Sequence, residues 1–273
     1  MPLLSGLEKT ILVPKPIKPF VYLKSQPKTQ IEMKKIFFAF VVLTLQSCQV
    51  TETIHLNSDE SGSITVEKFR DEQSYQLLAR ENYSKEEKFE DTTYVFQDYA
   101  KKYGETFAKL TPFEKSVYEK HFPVEVKIKK SSYEKEFRTQ LSQQFKAISE
   151  VADLYKTEDY ADNIQNNYAL SAEKHYYSVH FTFDGTRFNR IVAITNPEEL
   201  KKQQEEINEA KKRISVLPLK EVFVLHYYFP KSIQSVSNPK AVVGSDKKSL
   251  LLTFSLLEVL ANPESTNLEV VLE

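Results

Sequence analysis

Glycine is scarce in this sequence. Its 273 residues include only five glycines, no two of them close together: Gly6, Gly62, Gly104, Gly185 and Gly244. Loops that bind phosphate need several glycines at short spacing, because their backbone N–H groups must approach the ligand closely. The sequence therefore contains neither a P-loop nor a dinucleotide-binding fingerprint, and we predict no cofactor.

Cysteine is scarcer still, and basic residues show no excess. Cys48 is the only cysteine, which excludes an internal disulfide and a set of thiolates for a zinc site. Residues 1–47 contain seven Lys and two Glu, so residues 48–273 have 30 basic and 36 acidic side chains, a net charge of −6. A mildly acidic domain lacks the basic surface that nucleic-acid binding requires, and we predict no nucleic-acid partner.

One apolar run has the character of a targeting segment. It covers residues 36–45 and follows the basic pair Lys34 and Lys35. Ten helical residues span about 15 Å, whereas the hydrocarbon core of a bilayer is about 30 Å thick. The run is too short to cross a bilayer by itself, but its length and its basic flank are typical of a secretory signal peptide.

The four residues that close this segment, Leu45-Gln46-Ser47-Cys48, resemble the lipobox of bacterial lipoproteins. The resemblance implies that a signal peptide, residues 33–47, is removed before Cys48 and that Cys48 is acylated. Two or three acyl chains anchor a protein stably where one chain would be marginal. We therefore expect residues 48–273 to be a mature domain, held by lipid at the inner or outer membrane of the cell envelope and facing the periplasm. The alternative is that Cys48 is a small core residue at the end of a buried helix.

Residues 1–32 precede this signal and differ from it. They are rich in Pro and Lys and have no sustained hydrophobic period. Signal peptides begin at the initiator Met, and Met33 stands where such a Met is expected. We interpret residues 1–32 as upstream sequence from a misassigned start. A genuine cytoplasmic extension is the alternative.

The mature chain mixes strand and helix patterns, which predicts an α+β fold. Residues 51–56 and 64–69 are rich in β-forming residues and flank a turn cluster, so they indicate a hairpin. Residues 177–194 indicate a second hairpin that turns at Asp184-Gly185. Residues 221–229 are apolar on both faces, as in a central strand. We expect an antiparallel sheet built from the N- and C-terminal segments.

Two principal helices are predicted, over about 131–155 and 197–214. Apolar side chains recur every three or four residues in the first, at Tyr133, Phe137, Leu141, Phe145, Ile148, Ala152 and Tyr155. Ser131 and Glu134 have the spacing of a capping box. This helix should bury Phe137, Leu141, Phe145 and Ile148. The second helix begins with Asn196 as the N-cap and Pro197 in the first turn.

The order of these features is similar to that of LppM-type lipoprotein domains. A short strand follows the signal cysteine and leads to a turn, and a Phe-Pro stretch lies near the C-terminus. The residues concerned are Asp59-Glu60-Ser61-Gly62 and Phe229-Pro230-x-x-Ile233-x-x-Val236-x-Asn238. The turn departs from the usual Asp-Gly-Ser-Gly at Glu60. The resemblance implies an envelope lipoprotein of unassigned biochemistry and does not imply a reaction.

No catalytic or metal-binding motif accompanies the five histidines, His55, His121, His175, His180 and His226. On one strand His175 and His180 would point to opposite faces, since they differ by an odd number. We expect His226 to be a hydrogen-bonded core residue, although it would approach His180 if their strands paired.

The loop after residue 56 begins like a calcium-binding loop but has Lys68 where a bidentate Glu belongs. A cation at that position repels the metal, and the flanking residues favour strands over helices. We predict a plain turn there and no bound metal.

Two functional hypotheses remain. The first is a non-enzymatic envelope module, binding or structural, that contacts a protein, glycan or lipid partner through its sheet and a Tyr-rich surface. The second is an envelope hydrolase whose site is assembled only in three dimensions. A deep pocket with converging His and carboxylate side chains would favour the hydrolase.

Overall fold

The computed structural model describes six stretches of the chain, which belong to one compact unit: residues 46–71, 89–131, 133–134, 136–167, 175–214 and 220–273. The predicted upstream extension, residues 1–32, lies outside the described residues. So does the predicted signal peptide, residues 33–47, up to and including Leu45.

Eight strands form the larger sheet. Numbered along the chain, they are β1 (Gln46–Leu56), β2 (Gly62–Asp71), β3 (Phe89–Val95), β4 (Glu125–Ser131), β5 (Glu136–Phe145), β8 (Lys220–Tyr228), β10 (Val242–Val243) and β11 (Ser249–Ser255). Their order is β10-β11-β8-β1-β2-β5-β4-β3. The strands pair in antiparallel fashion except β1 with β8, which are parallel. The N-terminal hairpin lies beside C-terminal strands, so the predicted sheet from both ends of the chain is confirmed.

Four further strands form a second antiparallel sheet in the order β6-β7-β12-β9. They are β6 (Tyr177–Phe183), β7 (Arg187–Ile194), β9 (Ile233–Val236) and β12 (Leu268–Leu272). This sheet packs on the larger one, since the ring of Phe188 in β7 lies 5.4 Å from each of the rings of Tyr227 and Phe229. The predicted hairpin at Asp184-Gly185 is confirmed, and Gly185 takes a φ of 91° that glycine adopts without strain.

A strict alternation of side chains explains why the two sheets face each other. In β8, Phe223, Leu225 and Tyr227 are buried, while the intervening residues are half-buried. Val50 and Ile54 in β1 follow the same phase. Successive strand residues point to opposite faces, so each strand places one apolar row between the sheets. These rows form one continuous core.

Six α-helices occur in the described residues: α1 (Phe96–Lys102), α2 (Gly104–Lys109), α3 (Pro112–Glu119), α4 (Thr157–Asn166), α5 (Pro197–Ile214) and α6 (Leu256–Ala261). The α5 helix confirms the second predicted helix at both ends. The Asn196 side-chain oxygen accepts a hydrogen bond from the Glu199 N–H at 3.0 Å, as expected of an N-cap. No helix in these stretches combines the length and the apolar character needed to cross a membrane.

The predicted helix over residues 131–155 is wrong. Most of that segment forms β5, and two single turns of 3₁₀ helix follow it, Ile148–Glu150 and Leu154–Lys156. Ser131 does accept a hydrogen bond from the Glu134 N–H at 3.0 Å, but the contact lies in the turn between β4 and β5. Leu141, Phe145 and Ile148 are buried as expected, whereas Phe137 is only half-buried.

The spacing of the apolar residues explains this error. Phe137, Leu141 and Phe145 are four residues apart, which places them on one face of a helix and equally on one face of a strand. Tertiary pairing decides between helix and strand here, because β5 forms hydrogen bonds with β2 on one side and with β4 on the other. Gln143 is on the buried face as well, and its side-chain oxygen accepts a hydrogen bond from the Ala152 N–H at 3.1 Å. This bond allows a polar residue on the core side of β5.

The loop that resembles the start of a calcium site is a turn closed by its own side chains. Asp59 Oδ1 accepts hydrogen bonds from the N–H and the hydroxyl of Ser61, at 3.2 and 2.6 Å. A Cβ atom at Gly62 would lie 2.1 Å from the His55 carbonyl oxygen and 2.7 Å from Phe145. Glycine is therefore required where β2 begins beside β1 and β5.

Candidate functional site

Cys48 lies at the point where the sheet pairing of the N-terminal hairpin begins. It is opposite Arg70 in β2 and Glu221 in β8, and its pair with Arg70 starts a continuous antiparallel ladder that runs to Leu56. Gln46 and Ser47 are the two residues of β1 that precede it. The thiol is half-buried, and burial raises its pKa although Arg70 opposes the shift. A thiol with a raised pKa is a poor nucleophile, so a catalytic role for free Cys48 is not favoured.

A buried cluster of charged and polar side chains lies between the two sheets. Glu52 in β1 and Arg190 in β7 are 0% and 2% exposed, and the Arg190 guanidinium donates to both Glu52 oxygens, at 3.0 and 3.2 Å. The Tyr155 and Tyr227 hydroxyls also donate to Glu52, the former at 2.7 Å. Arg190 further donates to the Thr266 hydroxyl at 2.6 Å. Both charges are thus paired and hydrogen-bonded, as burial requires.

This cluster was missed by the sequence analysis, although a signal for it exists. Glu52 has the same strand phase as Ile54, and Arg190 has the same phase as Phe188 and Val192. A charge within an apolar row indicates a buried partner of opposite sign. Burial alone would lower the pKa of Arg190, but Glu52 holds that pKa well above its ordinary value. Arg190 therefore stays charged and joins the two sheets.

The space beside this cluster cannot hold a substrate. It is lined by Glu52, Asp153 and Tyr155 together with apolar side chains, and its solvent-accessible volume is about 0 Å³. A cavity needs at least about 10–15 Å³ for one water molecule. Burial raises the pKa of the Asp153 carboxyl, and its Oδ2 accepts the Val179 N–H at 3.1 Å. Glu52 and Asp153 are therefore held by hydrogen bonds within the core, and the space between them is too small for the water that hydrolysis needs.

The histidines do not converge on one site with an acid, although His55 and His226 both lie beside Tyr228. His121 is buried, its Nδ1 lies 3.0 Å from the Thr157 hydroxyl, and burial lowers its pKa to about 3. His175 lies 3.3 Å from Asp159, and His180 is exposed on β6. His226 belongs to β8 in the other sheet, so the strands of His180 and His226 do not pair. Among the described residues no group of three or more His, Cys, Asp or Glu side chains is arranged to hold a metal ion.

The side of the larger sheet that points away from the core is here called the outer face. From Gln49 onward in β1, and along β2, β8 and β11, none of its side chains is buried. His226 lies on this face and is half-buried, so the prediction of a core histidine is wrong. The register placed it there, because β8 buries the odd-numbered Phe223, Leu225 and Tyr227.

An aromatic cluster occupies one end of the outer face. The rings of His55 and Tyr228 stack with centroids 4.3 Å apart and planes within 6°, and His226 lies 4.5 Å from Tyr228. Thr53 is the strand partner of His226, and Ser63 is the strand partner of His55. Other tyrosines that the structure describes lie elsewhere, and four of them are buried in the core: Tyr118, Tyr160, Tyr176 and Tyr227. Tyr228 is the one tyrosine in this cluster, so the outer face is aromatic at this end but is not rich in tyrosine along β1, β2, β8 and β11.

Charged groups occupy the middle of the outer face. Arg138 in β5 bonds Glu67 at 2.6 Å and Glu136 at 2.7 Å, and its guanidinium lies 5.0 Å from the centroid of the Phe69 ring. These groups border a shallow depression of about 210 Å³, lined by Glu67, Lys127, Lys129, Glu136, Arg138 and Gln140. Stacked rings, hydroxyls, amides and ion pairs on one broad surface suit hydrogen bonding and stacking. They do not provide the convergent acid and base of a hydrolase.

Comparisons with known proteins leave the family of this chain open. No family model matches the sequence, and no curated protein matches it. Among solved structures, the NMR structure of the folded domain of LppM from Mycobacterium tuberculosis aligns with 89% of this chain and 95% of that chain. The sequence identity is 9% and the TM-score is 0.35. This is a weak structural resemblance, and a TM-score of this size does not establish a common fold.

Proposed function

We propose that the chain is a lipid-anchored protein of the bacterial envelope and that its folded part is a non-enzymatic binding module. The anchor would be Cys48, with the signal peptide removed before it and the domain on the periplasmic side. The observation that supports the anchor most strongly is the register of β1. Its antiparallel ladder with β2 begins at Cys48, so cleavage before this residue would leave every pair of that ladder intact. Cleavage would remove Gln46 and Ser47 from β1, and with them the Gln46–Lys220 pair with β8, which a register shift separates from the pairs that begin at Cys48.

The outer face supports the binding role. Its aromatic cluster can stack against a planar or sugar-ring ligand, and its threonine, serine and glutamine side chains can bond an extended chain. The hydrolase alternative has less support, because Glu52 and Arg190 are paired and the space beside them cannot admit water. A glycan or peptide segment in the envelope is the kind of ligand that this face fits.

Acylation is tested by metabolic labelling with an alkyne fatty acid in cells that produce the full chain. Wild-type protein should be labelled, and Cys48→Ser should lose the label and accumulate as an unprocessed precursor. A matched control moves the thiol to an exposed position, with Cys48→Ser combined with His55→Cys. This control should remain unlabelled, because the lipobox specifies position 48. Equal labelling of wild type and Cys48→Ser would refute the anchor.

Binding through the outer face is tested by a photo-crosslinking amino acid placed in the full chain. Thr253 is exposed on the outer face of β11, and Thr182 is exposed on the smaller sheet and serves as the control position. We expect an adduct from position 253 in living cells, no such adduct from position 182, and loss of the adduct in a Tyr228→Ala background. An adduct that persists after Tyr228→Ala, or no adduct from position 253, would contradict this proposal.

A further inference from the structure

Two exposed aromatic side chains lie at the end of the larger sheet where β1 begins. Phe89 is the first residue of β3 and is 79% exposed, and Tyr133 lies between β4 and β5 and is 96% exposed. Hydrogen-bonded register links them to the predicted anchor. One row of paired residues crosses five strands at this end of the sheet: Cys48, Arg70, Phe137, Lys130 and Glu90.

The spacing of the strands gives the distances from Cys48 to the strands that hold the two aromatics. Neighbouring strands are about 4.8 Å apart, so Lys130 is about 14 Å and Glu90 about 19 Å from Cys48 along the row. Phe89 is the next residue outward from Glu90, and Tyr133 lies three residues beyond Lys130 in the β4–β5 turn. The anchor position and both exposed rings therefore share one end of the sheet.

No linker separates the anchor position from the fold. Cys48 is itself paired with Arg70 and with Glu221, so acyl chains on its sulfur would start at the sheet. With those chains in a bilayer, this end of the sheet must lie at the level of the lipid headgroups. A protein tethered by a long flexible segment would be free of this constraint.

We propose that this end of the sheet is a lipid-contacting surface, with the side chains of Phe89 and Tyr133 in the interfacial layer of the bilayer. The proposal rests on the proposed acylation of Cys48. Tyrosine favours that layer because its ring is apolar while its hydroxyl tolerates water, and an exposed phenylalanine ring gains by leaving water for the acyl boundary beneath the headgroups. The domain would thus be held in one orientation on the membrane, with β3, β4 and β5 standing on the lipid surface.

The charges at this end indicate which lipids it contacts. Lys130 pairs with Glu90 at 3.0 Å, and Lys129 pairs with Glu134 at 2.6 Å. These two cations are balanced by carboxylates, so the described residues at this end show no basic excess that would require anionic headgroups. We expect contact through the aromatic rings to be similar in phosphatidylcholine vesicles with and without phosphatidylglycerol.

The chain contains no tryptophan, which allows a direct test. Phe89→Trp and Tyr133→Trp each introduce a single tryptophan fluorophore into the full chain. The matched control is Val95→Trp, at the opposite end of β3, on the same side of the strand and about 20 Å from Phe89. Acylated protein is purified from membranes and reconstituted in phosphatidylcholine vesicles that contain brominated lipid, which quenches tryptophan only at short range.

Quenching of at least twofold is expected for Phe89→Trp and Tyr133→Trp, with a blue-shifted emission, and little quenching for Val95→Trp. Mass measurement of the N-terminal peptide reports acylation separately. Acylated, vesicle-bound protein in which all three variants are quenched equally or not at all would overturn this inference and leave the anchor standing. An unacylated Cys48 would overturn both.

Discussion

Glu52 and Arg190 come from different sheets and form two hydrogen bonds, at 3.0 and 3.2 Å, in the centre of the core. Burial, followed by the charge of Glu52, raises the pKa of the Tyr155 and Tyr227 hydroxyls well above ordinary values. Both tyrosines therefore remain protonated and donate to the carboxylate. Because each partner is satisfied only when the sheets are in register, the pair specifies how one sheet sits on the other.

Replacing Arg190 should destabilise the protein strongly. Arg190→Met leaves the Glu52 charge buried without its cation, a change that costs about 3–5 kcal/mol in comparable cases. The free energy of unfolding, measured by urea denaturation at pH 7, should fall by about that amount. Glu52→Gln combined with Arg190→Met should recover part of the loss, because it removes the unpaired charge.

Arg187 provides the control for this prediction. It lies on the same strand, but its side chain is 52% exposed and pairs with Glu269 at 2.7 Å on the surface. Exposed pairs contribute about 0–1 kcal/mol, so Arg187→Met should change the unfolding free energy by no more than that. Similar losses for Arg187→Met and Arg190→Met would contradict a special role for the buried pair.

Gly62 should not tolerate even one added carbon. In Gly62→Ala the new Cβ would meet the His55 carbonyl oxygen at 2.1 Å, and the β1 backbone cannot move without disturbing its ladder. A loss of about 1–3 kcal/mol is expected from such overpacking. Gly104→Ala is the matched control, since nothing lies within 4 Å of its Cβ position. Thermal unfolding of both variants checks this, and an unchanged melting temperature for Gly62→Ala would contradict the contact geometry.

The sequence predicted the elements whose signals are local. The α5 helix has an N-cap at Asn196, and the β6–β7 hairpin has Asp184-Gly185 at its turn, so neighbouring residues sufficed for both. The β5 strand has no such signal. Phe137, Leu141 and Phe145 fit either period, and pairing with β2 and β4 decided the outcome.

The outer face could be predicted even less. His55 and Tyr228 are distant in sequence, and they stack only because β1 and β8 pair in parallel in one register. The register of a parallel pair between strands so far apart depends on the whole sheet, and the local sequence of β1 or β8 does not specify it. The Glu52–Arg190 pair is an intermediate case, because the phase of each charge indicates burial but does not identify the partner.

The buried His121 should make stability depend on pH. Its ring lies against Phe96 and Tyr160, and burial lowers its pKa in the folded protein to about 3, with Lys156 and Lys120 adding to the effect. The unfolded chain has a histidine pKa of about 6.5. Between these two values the unfolded state binds a proton that the folded state does not.

The sign of the effect follows from this difference. Well above pH 6.5 both states are neutral at His121 and the residue adds no pH dependence. As the pH falls below 6.5, His121 should lower the unfolding free energy by up to about 1.4 kcal/mol per pH unit, until the folded pKa is reached. Urea denaturation at several pH values between 4.5 and 7 measures the slope. The His121→Gln variant can keep a hydrogen bond to Thr157, and its unfolding free energy should change less steeply with pH than that of the wild type. The His180→Gln variant, changed at an exposed position, should have the same slope as the wild type. Equal slopes for wild type and His121→Gln would show that His121 is not buried as a neutral ring.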